Sequence, residues 1–158
     1  MPNKFDKTDR LILSTLQDDA RISNAELADR VNLSPTPCLR RVKRLEDQGV
    51  IEGYSARLNK EQLGLGISAF VFIQLERNSS QKASAFEEAI QSLEAVIDCF
   101  VLTGEYDYLL NVVTQDLKDY EDFIKKRLAN IPQVAKIDTT IILNQVMSKR
   151  SLPIPLSR

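Results

Sequence analysis

The residues best suited to chemistry form a basic run at positions 34–49, SPTPCLRRVKRLEDQG, in which no acid precedes Glu46. Guanidinium and ammonium groups at this density bind phosphates, both by ionic contact and by releasing the counterions that surround a polyanion. The basic side chains of the run are Arg40, Arg41, Lys43 and Arg44. Whether they form one face depends on the elements around them.

Other chemistries lack their usual residues. The chain has no histidine, which removes the commonest general base and the commonest nitrogen ligand for metals. Its two cysteines, Cys38 and Cys99, are far apart and lie among apolar neighbours, which indicates reduced core residues in a reducing cytoplasm. An enzyme built on this chain would depend on carboxylates or lysines alone. We therefore predict no enzyme, no catalytic residue, no metal site and no cofactor.

Charge and hydropathy indicate two units. The 158-residue chain has a net charge of −1, but residues 1–60 hold 11 basic and 9 acidic residues, whereas the remainder is net −3. A small basic unit followed by a larger acidic unit fits this difference. No run reaches the roughly 18 apolar residues of a membrane span, and the first ten residues lack the apolar stretch of a signal peptide. We expect a cytoplasmic protein with no membrane partner.

Three helices are predicted before residue 50. Residues 6–18 have apolar residues at helical spacing. Ser23 followed by Glu26 predicts a capping box, so that a second, short helix starts at Asn24. Ser34 can cap a third helix, whose first turn tolerates Pro35 and Pro37 because its amides have no partner within the helix. Gly49 fits a left-handed helix terminus.

The third predicted helix has two sides. At about 100° per residue, Cys38, Val42 and Leu45 cluster on the side to be buried, and Arg40 and Arg44 lie opposite. A short second helix, a tight turn and a basic third helix make a helix-turn-helix, which can enter the major groove of double-stranded DNA. The alternative is a solvated charged face on an ordinary three-helix bundle. The predicted DNA contacts are Ser34, Pro35, Thr36, Pro37, Arg40, Arg41, Lys43, Arg44 and, in the extended segment that follows, Arg57.

The second half of the chain predicts a ferredoxin-like sheet. Strand patterns at 66–76, 95–104, 106–115 and 134–146 alternate with helix patterns at 80–93 and 117–131, which gives the order βαββαβ and an α+β fold class. The first strand is apolar on both faces, with Phe70 and Phe72 on one of them. Two helices cover only one face of such a sheet, so the other would leave an apolar patch larger than monomers usually tolerate. We therefore predict a homodimer at least.

Two stretches resemble the leucine-responsive regulator/AsnC family, the feast/famine transcription factors. The long one is DARISNAELADRVNLSPTPCLRRVKRLEDQGVIEGYSARLN, and the short one, VLTGEYDYLL, lies between the two middle strands. The resemblance implies a winged helix-turn-helix with a linker strand at 1–60 and an effector-binding, oligomerising domain at 61–158. It also implies dimers that assemble further, often into octamers, on nucleoid DNA. Members bind small amino acids, and many both activate and repress.

The resemblance also implies an amino-acid site at the turn TGEYDYLL. Asp107 would accept from the ligand ammonium, and amides near Gly104 would bind its carboxylate. An apolar lining favours leucine or methionine. The alternative is a tight hairpin in which Gly104 takes a positive φ and Asp107 accepts backbone hydrogen bonds. Tyr106 stays open between ligand and interface, and Tyr108 is predicted to be structural. The full predicted set is Gly104, Glu105, Tyr106 and Asp107, with Leu117, Thr139, Thr140 and Ile142 of a neighbouring subunit.

Two other function classes stay open at this point. Ferredoxin-like domains also serve as regulatory subunits of metabolic enzymes, although the chain shows no nucleophile with a base, phosphate loop or metal cage. A second alternative is an amino-acid sensor that has lost DNA binding, which the intact basic face disfavours. The effector, the operator sequence, the target genes and the sign of regulation do not follow from the sequence.

Overall fold

The computed structural model describes residues 5–76, 80–148 and 151–154. Tertiary contacts divide them into two compact units. The first contains the residues up to Arg57 together with those from Met147 onward, and the second is Leu58–Val146. The sequence prediction placed the boundary after residue 60 and gave the whole C-terminus to the second unit. The observed grouping differs because Leu152 pairs with Gln17 of the first unit.

The first unit contains α1 (Lys7–Asp18), α2 (Asn24–Arg30) and α3 (Pro35–Asp47). Capping boxes start α1 and α2. Asp6 and Asp9 exchange side-chain and backbone hydrogen bonds in α1, which was not predicted, and Ser23 and Glu26 form the predicted capping box of α2. The core of the unit is Ile12, Leu27, Ala28, Val31, Cys38 and Leu45.

The start of α3 differs from the prediction in one respect. Ser34 occupies the N-cap position, but its side chain accepts no hydrogen bond from the helix. The usual donor for an N-cap side chain is the N–H of the second or third helical residue. The third residue here is Pro37, which has no N–H. The prolines therefore fix the backbone of the first turn while removing one of the donors that Ser34 would cap.

The end of α3 matches the prediction. Gly49 has φ 65°, its N–H donates to Glu46 O at 2.8 Å, and the Val50 N–H donates to Leu45 O at 2.9 Å. These two bonds make a Schellman motif, in which glycine takes the left-handed conformation without steric cost. Residues 52–59 then carry no strand. The predicted linker strand is absent within this chain, because these residues have no neighbouring strand with which to pair among those described.

The second unit is a four-stranded antiparallel sheet with helices. Along the chain it has β1 (Ile67–Leu75), α4 (Ser80–Gln91), β2 (Val96–Val101), β3 (Tyr108–Thr114), α5 (Leu117–Lys126), a 3-10 turn (Leu128–Asn130) and β4 (Val134–Ile141). The strand order is β2-β3-β1-β4. This is the ferredoxin-like arrangement predicted from the sequence, with β4 shorter than its pattern suggested.

The two faces of the sheet differ as predicted. Alternate residues of β1 and β3 form the core with side chains of both helices, among them Phe86 and Phe123. The opposite face carries Phe70, which is 38% exposed, and the half-buried Phe72. We call this second face the open face.

Cys99 is a correction to the sequence prediction. Cys38 is buried as expected, but Cys99 is exposed. It lies on β2, an edge strand whose residues 97–101 are all exposed. Apolar neighbours in the sequence indicate a strand, but they do not tell a central strand from an edge strand.

Candidate functional site

The predicted cationic face of α3 is exposed to solvent. The side chains of Arg40 and Lys43 are exposed and, among residues 5–76, 80–148 and 151–154, have no hydrogen-bond or ion-pair partner. The predicted first-turn contacts Ser34, Pro35, Thr36 and Pro37 are exposed too, as is Arg57. The Asn24 side-chain amide donates to Pro35 O at 2.9 Å, which fixes α2 against the start of α3. Apolar burial through Cys38 and Leu45 thus turns the polar side of α3 outward.

Arg41 and Arg44 differ from the other two cations of α3. Arg41 Nη1 lies 2.6 Å from Asp6 Oδ2 and 2.8 Å from Asp9 Oδ1, and Arg44 Nη2 lies 2.7 Å from the same Asp9 oxygen. The hydrogen bonds that Arg41 donates to Asp6 and Asp9 raise the pKa of Arg41. Both remain predicted DNA contacts, but each already holds an internal partner. The sequence reasoning missed this link, since the partners are more than 30 residues apart along the chain.

A groove runs along α1 and the segment that follows α3. It encloses about 660 Å³ and is lined by apolar residues such as Leu13, Leu16 and Ile51. The C-terminal segment 152–154 forms part of its wall. Gln17 binds both backbone groups of Leu152: its Nε2 donates to Leu152 O at 3.2 Å, and Oε1 accepts from Leu152 N–H at 2.6 Å. We call this pair of hydrogen bonds the tail clamp.

The turn at residues 102–107 uses its polar groups internally. Gly104 has φ 126°, and the Leu102 N–H donates to Asp107 O at 2.8 Å. The Asp107 N–H donates to Ile73 O at 2.8 Å, and Asp107 Oδ2 accepts from the Leu75 N–H at 2.7 Å. The carboxylate predicted to accept from an ammonium group therefore accepts a backbone hydrogen bond here, as the hairpin alternative expected.

Tyr106 belongs to a polar cluster beside this turn. Its hydroxyl donates to Asp138 and accepts from Lys136 Nζ at 3.0 Å, and its ring lies 5.4 Å from that of Phe72. Lys136 Nζ also lies 3.2 Å from Glu105 Oε1 and 3.0 Å from Asp138 Oδ2. Hydrogen bonds from Tyr106 and Lys136 lower the pKa of Asp138, and those to Tyr106, Asp138 and Glu105 raise the pKa of Lys136. Lys136 and Asp138 were not predicted, although their two-residue spacing on a strand places them on one face.

Tyr108 is structural, as predicted. It is 4% exposed, its hydroxyl donates to Glu87 at 2.7 Å, and its ring packs 4.7 Å from that of Phe86.

The remaining predicted effector residues lie at the other end of the sheet. Asp107 binds Leu75 at one end of β1, whereas Thr140 pairs with Phe70 and Ile142 N–H donates to Ser68 O. At ~3.4 Å per residue, five residues of β1 separate the two levels by about 17 Å. Within one chain, Asp107 and Thr140 are therefore too far apart to contact the same small molecule, whereas Tyr106 reaches Asp138, two residues before Thr140 on β4.

The predicted residues at this second end do not all share a face. Thr140 is on the open face with Phe70, whereas the Thr139 hydroxyl meets that of Tyr120 on α5 at 2.6 Å. Leu117, at the start of α5, is 62% exposed. Ile142 lines a polar cleft of about 260 Å³ in which Lys60 Nζ donates to Ser68 Oγ at 2.8 Å.

Other kinds of site are not found in the described part of the chain. Within residues 5–76, 80–148 and 151–154, no group of three or more potential ligands is placed to hold a metal ion. No helix there has the length and apolar character needed to cross a membrane.

Comparison with known proteins assigns both units. Residues 5–52 match a family described as winged helix-turn-helix DNA-binding, and residues 68–152 match the Lrp/AsnC ligand binding domain. The chain belongs to the Lrp/AsnC family. It is therefore a DNA-binding transcriptional regulator of Lrp/AsnC type with a ligand-binding domain, which confirms the predicted family and fold class.

Individual Lrp/AsnC proteins match over nearly the whole chain. The leucine-responsive regulatory protein of Klebsiella pneumoniae is 42% identical over 150 residues, which span 95% of this chain and 92% of that protein. A transcriptional regulator from Neisseria meningitidis, solved in complex with L-methionine, has a TM-score of 0.92 at 36% identity over 96% of this chain and 98% of its own. An AsnC family regulator from Agrobacterium tumefaciens has a TM-score of 0.89 at 32% identity, and the match covers 94% of this chain and 97% of that regulator.

Proposed function

We propose that this chain is a transcriptional regulator whose DNA affinity or assembly is set by a small amino acid, leucine or methionine. The similarity to a leucine-responsive regulatory protein and to a regulator solved with L-methionine supports this choice of effector. The regulator acts in the cytoplasm on nucleoid DNA. It has no catalytic role.

The observation that carries the DNA-binding part is the state of Arg40 and Lys43. Both are exposed on α3 without an internal partner among the described residues, so their charge is available to phosphate. The first turn of α3, from Ser34 to Pro37, faces base edges in the major groove, and Arg41, Arg44 and Arg57 flank it. A merely solvated face on a helix bundle would not need a proline-fixed entry.

The effector lies between subunits. One subunit supplies the turn from Gly104 to Asp107, and its neighbour supplies Leu117, Thr139, Thr140 and Ile142. The separation of Asp107 from Thr140 along β1 supports a composite site, since these two residues of one chain cannot contact the same small amino acid. The open face with Phe70 and Phe72 supports a dimer packed through its sheets, and the dimers assemble further into octamers.

The DNA-binding part is tested by salt titration of binding to a duplex. We expect Arg40→Ala and Lys43→Ala each to reduce the slope of log K against log salt by roughly 0.9 for each phosphate that is no longer neutralised in a bound subunit. Lys118→Ala removes an exposed cation from α5 and serves as the matched control. Unchanged slope and affinity in both α3 variants would rule out this DNA face.

The effector part is tested by a thermal-shift screen of the twenty amino acids. We expect leucine or methionine to raise the melting temperature, and Tyr106→Ala and Thr140→Val each to abolish the shift. Glu94→Gln, at an exposed position before β2, should retain it. A thermal shift that survives in both variants would show that the effector binds at another site.

A further inference from the structure

We infer that Asp9 is a positioning residue for the DNA surface: its buried carboxylate orients Arg41 and Arg44 and withholds part of their charge from DNA. Arg40 and Lys43 are then the principal phosphate ligands of α3. This inference rests on the proposed DNA-binding role of α3. It divides four basic residues that are equivalent in the sequence into an internally held pair and a free pair.

The geometry supports a fixed role for Asp9. Its side chain is 3% exposed, and its Oδ1 lies 2.8 Å from Arg41 Nη1 and 2.7 Å from Arg44 Nη2. Arg41 and Arg44 are three residues apart on α3 and so lie on the same side of the helix. One carboxylate at the start of α1 therefore holds both guanidinium groups, and Asp6 contributes a second contact to Arg41 at 2.6 Å.

The charge balance shows what this arrangement does to the surface. Two carboxylates and two guanidinium groups sum to zero, so the part of α3 before Glu46 presents the net charge of Arg40 and Lys43 rather than that of four cations. A buried carboxylate acts more strongly on its partners than an exposed acid does, because water screens it less. Asp6 and Asp9 therefore lower the part of the DNA affinity that depends on charge alone.

The same ion pair fixes where Arg44 points. Its side chain is 47% exposed, so one edge binds Asp9 while the other reaches solvent. A guanidinium has five N–H donors in a rigid fork and can bind a carboxylate and a phosphate together. Holding the group in place lowers the entropy lost when it meets DNA. Asp9 thus reduces the sequence-independent attraction of α3 to DNA and keeps Arg44 oriented for contact with a phosphate.

The test measures the salt dependence of binding to a mixed-sequence duplex, with the full chain carrying Asp9→Asn, Asp6→Asn or Asp47→Asn. Asp47 lies exposed at the end of α3, so its variant controls for the loss of one negative charge from the unit. We expect Asp9→Asn to steepen the slope of log K against log salt by about one to two for each bound subunit. A slope equal to that of Asp47→Asn would overturn the inference.

A thermal melt determines whether Asp9→Asn folds. If it does not fold, Asp6→Asn provides the test instead. Asparagine is as good an N-cap as aspartate, and Asp6 is 53% exposed and contacts only Arg41 of the two arginines. We expect Asp6→Asn to steepen the slope of log K against log salt by roughly half as much as Asp9→Asn does. A slope equal to that of Asp47→Asn would contradict the inference.

A further comparison uses Arg44→Gln in wild-type and Asp9→Asn backgrounds. The slope should fall more in the Asp9→Asn background, where Arg44 is free to meet phosphate, and equal decreases would count against the inference. Failure of the proposed DNA face is recognised separately, because Arg40→Ala would then leave binding unchanged. Arg40-dependent binding with no Asp9 effect overturns only the positioning role.

Discussion

At the scale of single residues, Asp107 is held by the backbone of its own sheet. Its Oδ2 accepts from the Leu75 N–H at 2.7 Å, close to the register shift between Gln74 and Leu75. Without this acceptor, the Leu75 N–H would lose its partner at the end of β1. Any role of Asp107 toward a ligand therefore has to be separated from its role in the fold.

Two substitutions separate these roles. Asp107→Ala removes the acceptor, and we expect a loss of about 1–3 kcal/mol in the free energy of unfolding without any effector, because a backbone donor is left unsatisfied. Asp107→Asn keeps an acceptor oxygen and should unfold close to wild type in a denaturant titration. Equal destabilisation of the two variants would contradict the hydrogen-bond explanation. If Asp107→Asn also loses the effector-induced thermal shift, the negative charge serves the ligand.

Residue roles could be predicted from the sequence only where the decisive partner is local. The exposed side of α3 follows from helical spacing, and Arg40 and Arg44 were both placed on it correctly. Their difference could not be predicted, because Asp9 reaches α3 only through the packing of α1. Lys136 and Asp138 were similarly missed, since their meeting with Tyr106 depends on the pairing of β4 with β1.

At the scale of elements, the capping boxes make the first unit sensitive to acid. Hydrogen bonds from the Ser23 side chain and backbone lower the pKa of Glu26 below its ordinary value of 4.5. A group with a lowered folded-state pKa contributes stability that is present above its unfolded pKa and is lost as pH falls through the folded value. The contribution of Glu26 is therefore complete above about pH 4.5 and disappears below it.

The direction of this pH dependence can be checked with Glu26→Gln, which retains the shape of the side chain. We expect the variant to melt below wild type near neutral pH, with the difference shrinking as pH falls below 4.5. Melting curves by circular dichroism at a series of pH values measure this. The exposed Glu52→Gln is the control, and its difference from wild type should show no such trend. A gap for Glu26→Gln that widens in acid would contradict the assignment.

The tail clamp is an element-scale interaction that sequence patterns do not indicate. Gln17→Ala removes both hydrogen bonds to Leu152, and we expect a cost of about 1 kcal/mol in the stability of the first unit. Removal of residues 151–158 should include this cost, so Gln17→Ala adds little in the shortened chain. Gln48→Ala, at the exposed end of α3, is the matched control. Full additivity, measured by denaturant unfolding, would show that Gln17 does not act through the tail.

Elements were predictable where local signals are strong. Ser23 with Glu26 located the start of α2, and Gly49 located the end of α3, because capping depends on neighbouring residues. The predicted linker strand does not form within the described part of this chain, and β4 is shorter than predicted. A strand exists only where another strand pairs with it. Local composition cannot supply that partner.

At the scale of the whole molecule, the proposed dimer would cover the open face. Phe70 is 38% exposed there, and Phe100 on β2, which pairs with the Phe72 partner Leu109, is 50% exposed. We expect Phe70→Ala to weaken self-association by about 2 kcal/mol, or roughly 30-fold in the dissociation constant, as for a central interface aromatic. Sedimentation equilibrium measures this. Leu39→Ala, an exposed apolar residue of α3, is the control, and an unchanged constant for Phe70→Ala would place the interface elsewhere.

The proposed composite effector site, with Asp107 and Thr140 at different levels of β1, has a genetic consequence. A subunit damaged at the turn with Tyr106 and a subunit damaged near Thr140 would each be insensitive to the effector when produced alone. Mixed assemblies would contain some junctions in which the intact halves of the two subunits meet. Co-expressing the two defective alleles should therefore restore part of the response, whereas two alleles with damage at the same end should not complement each other.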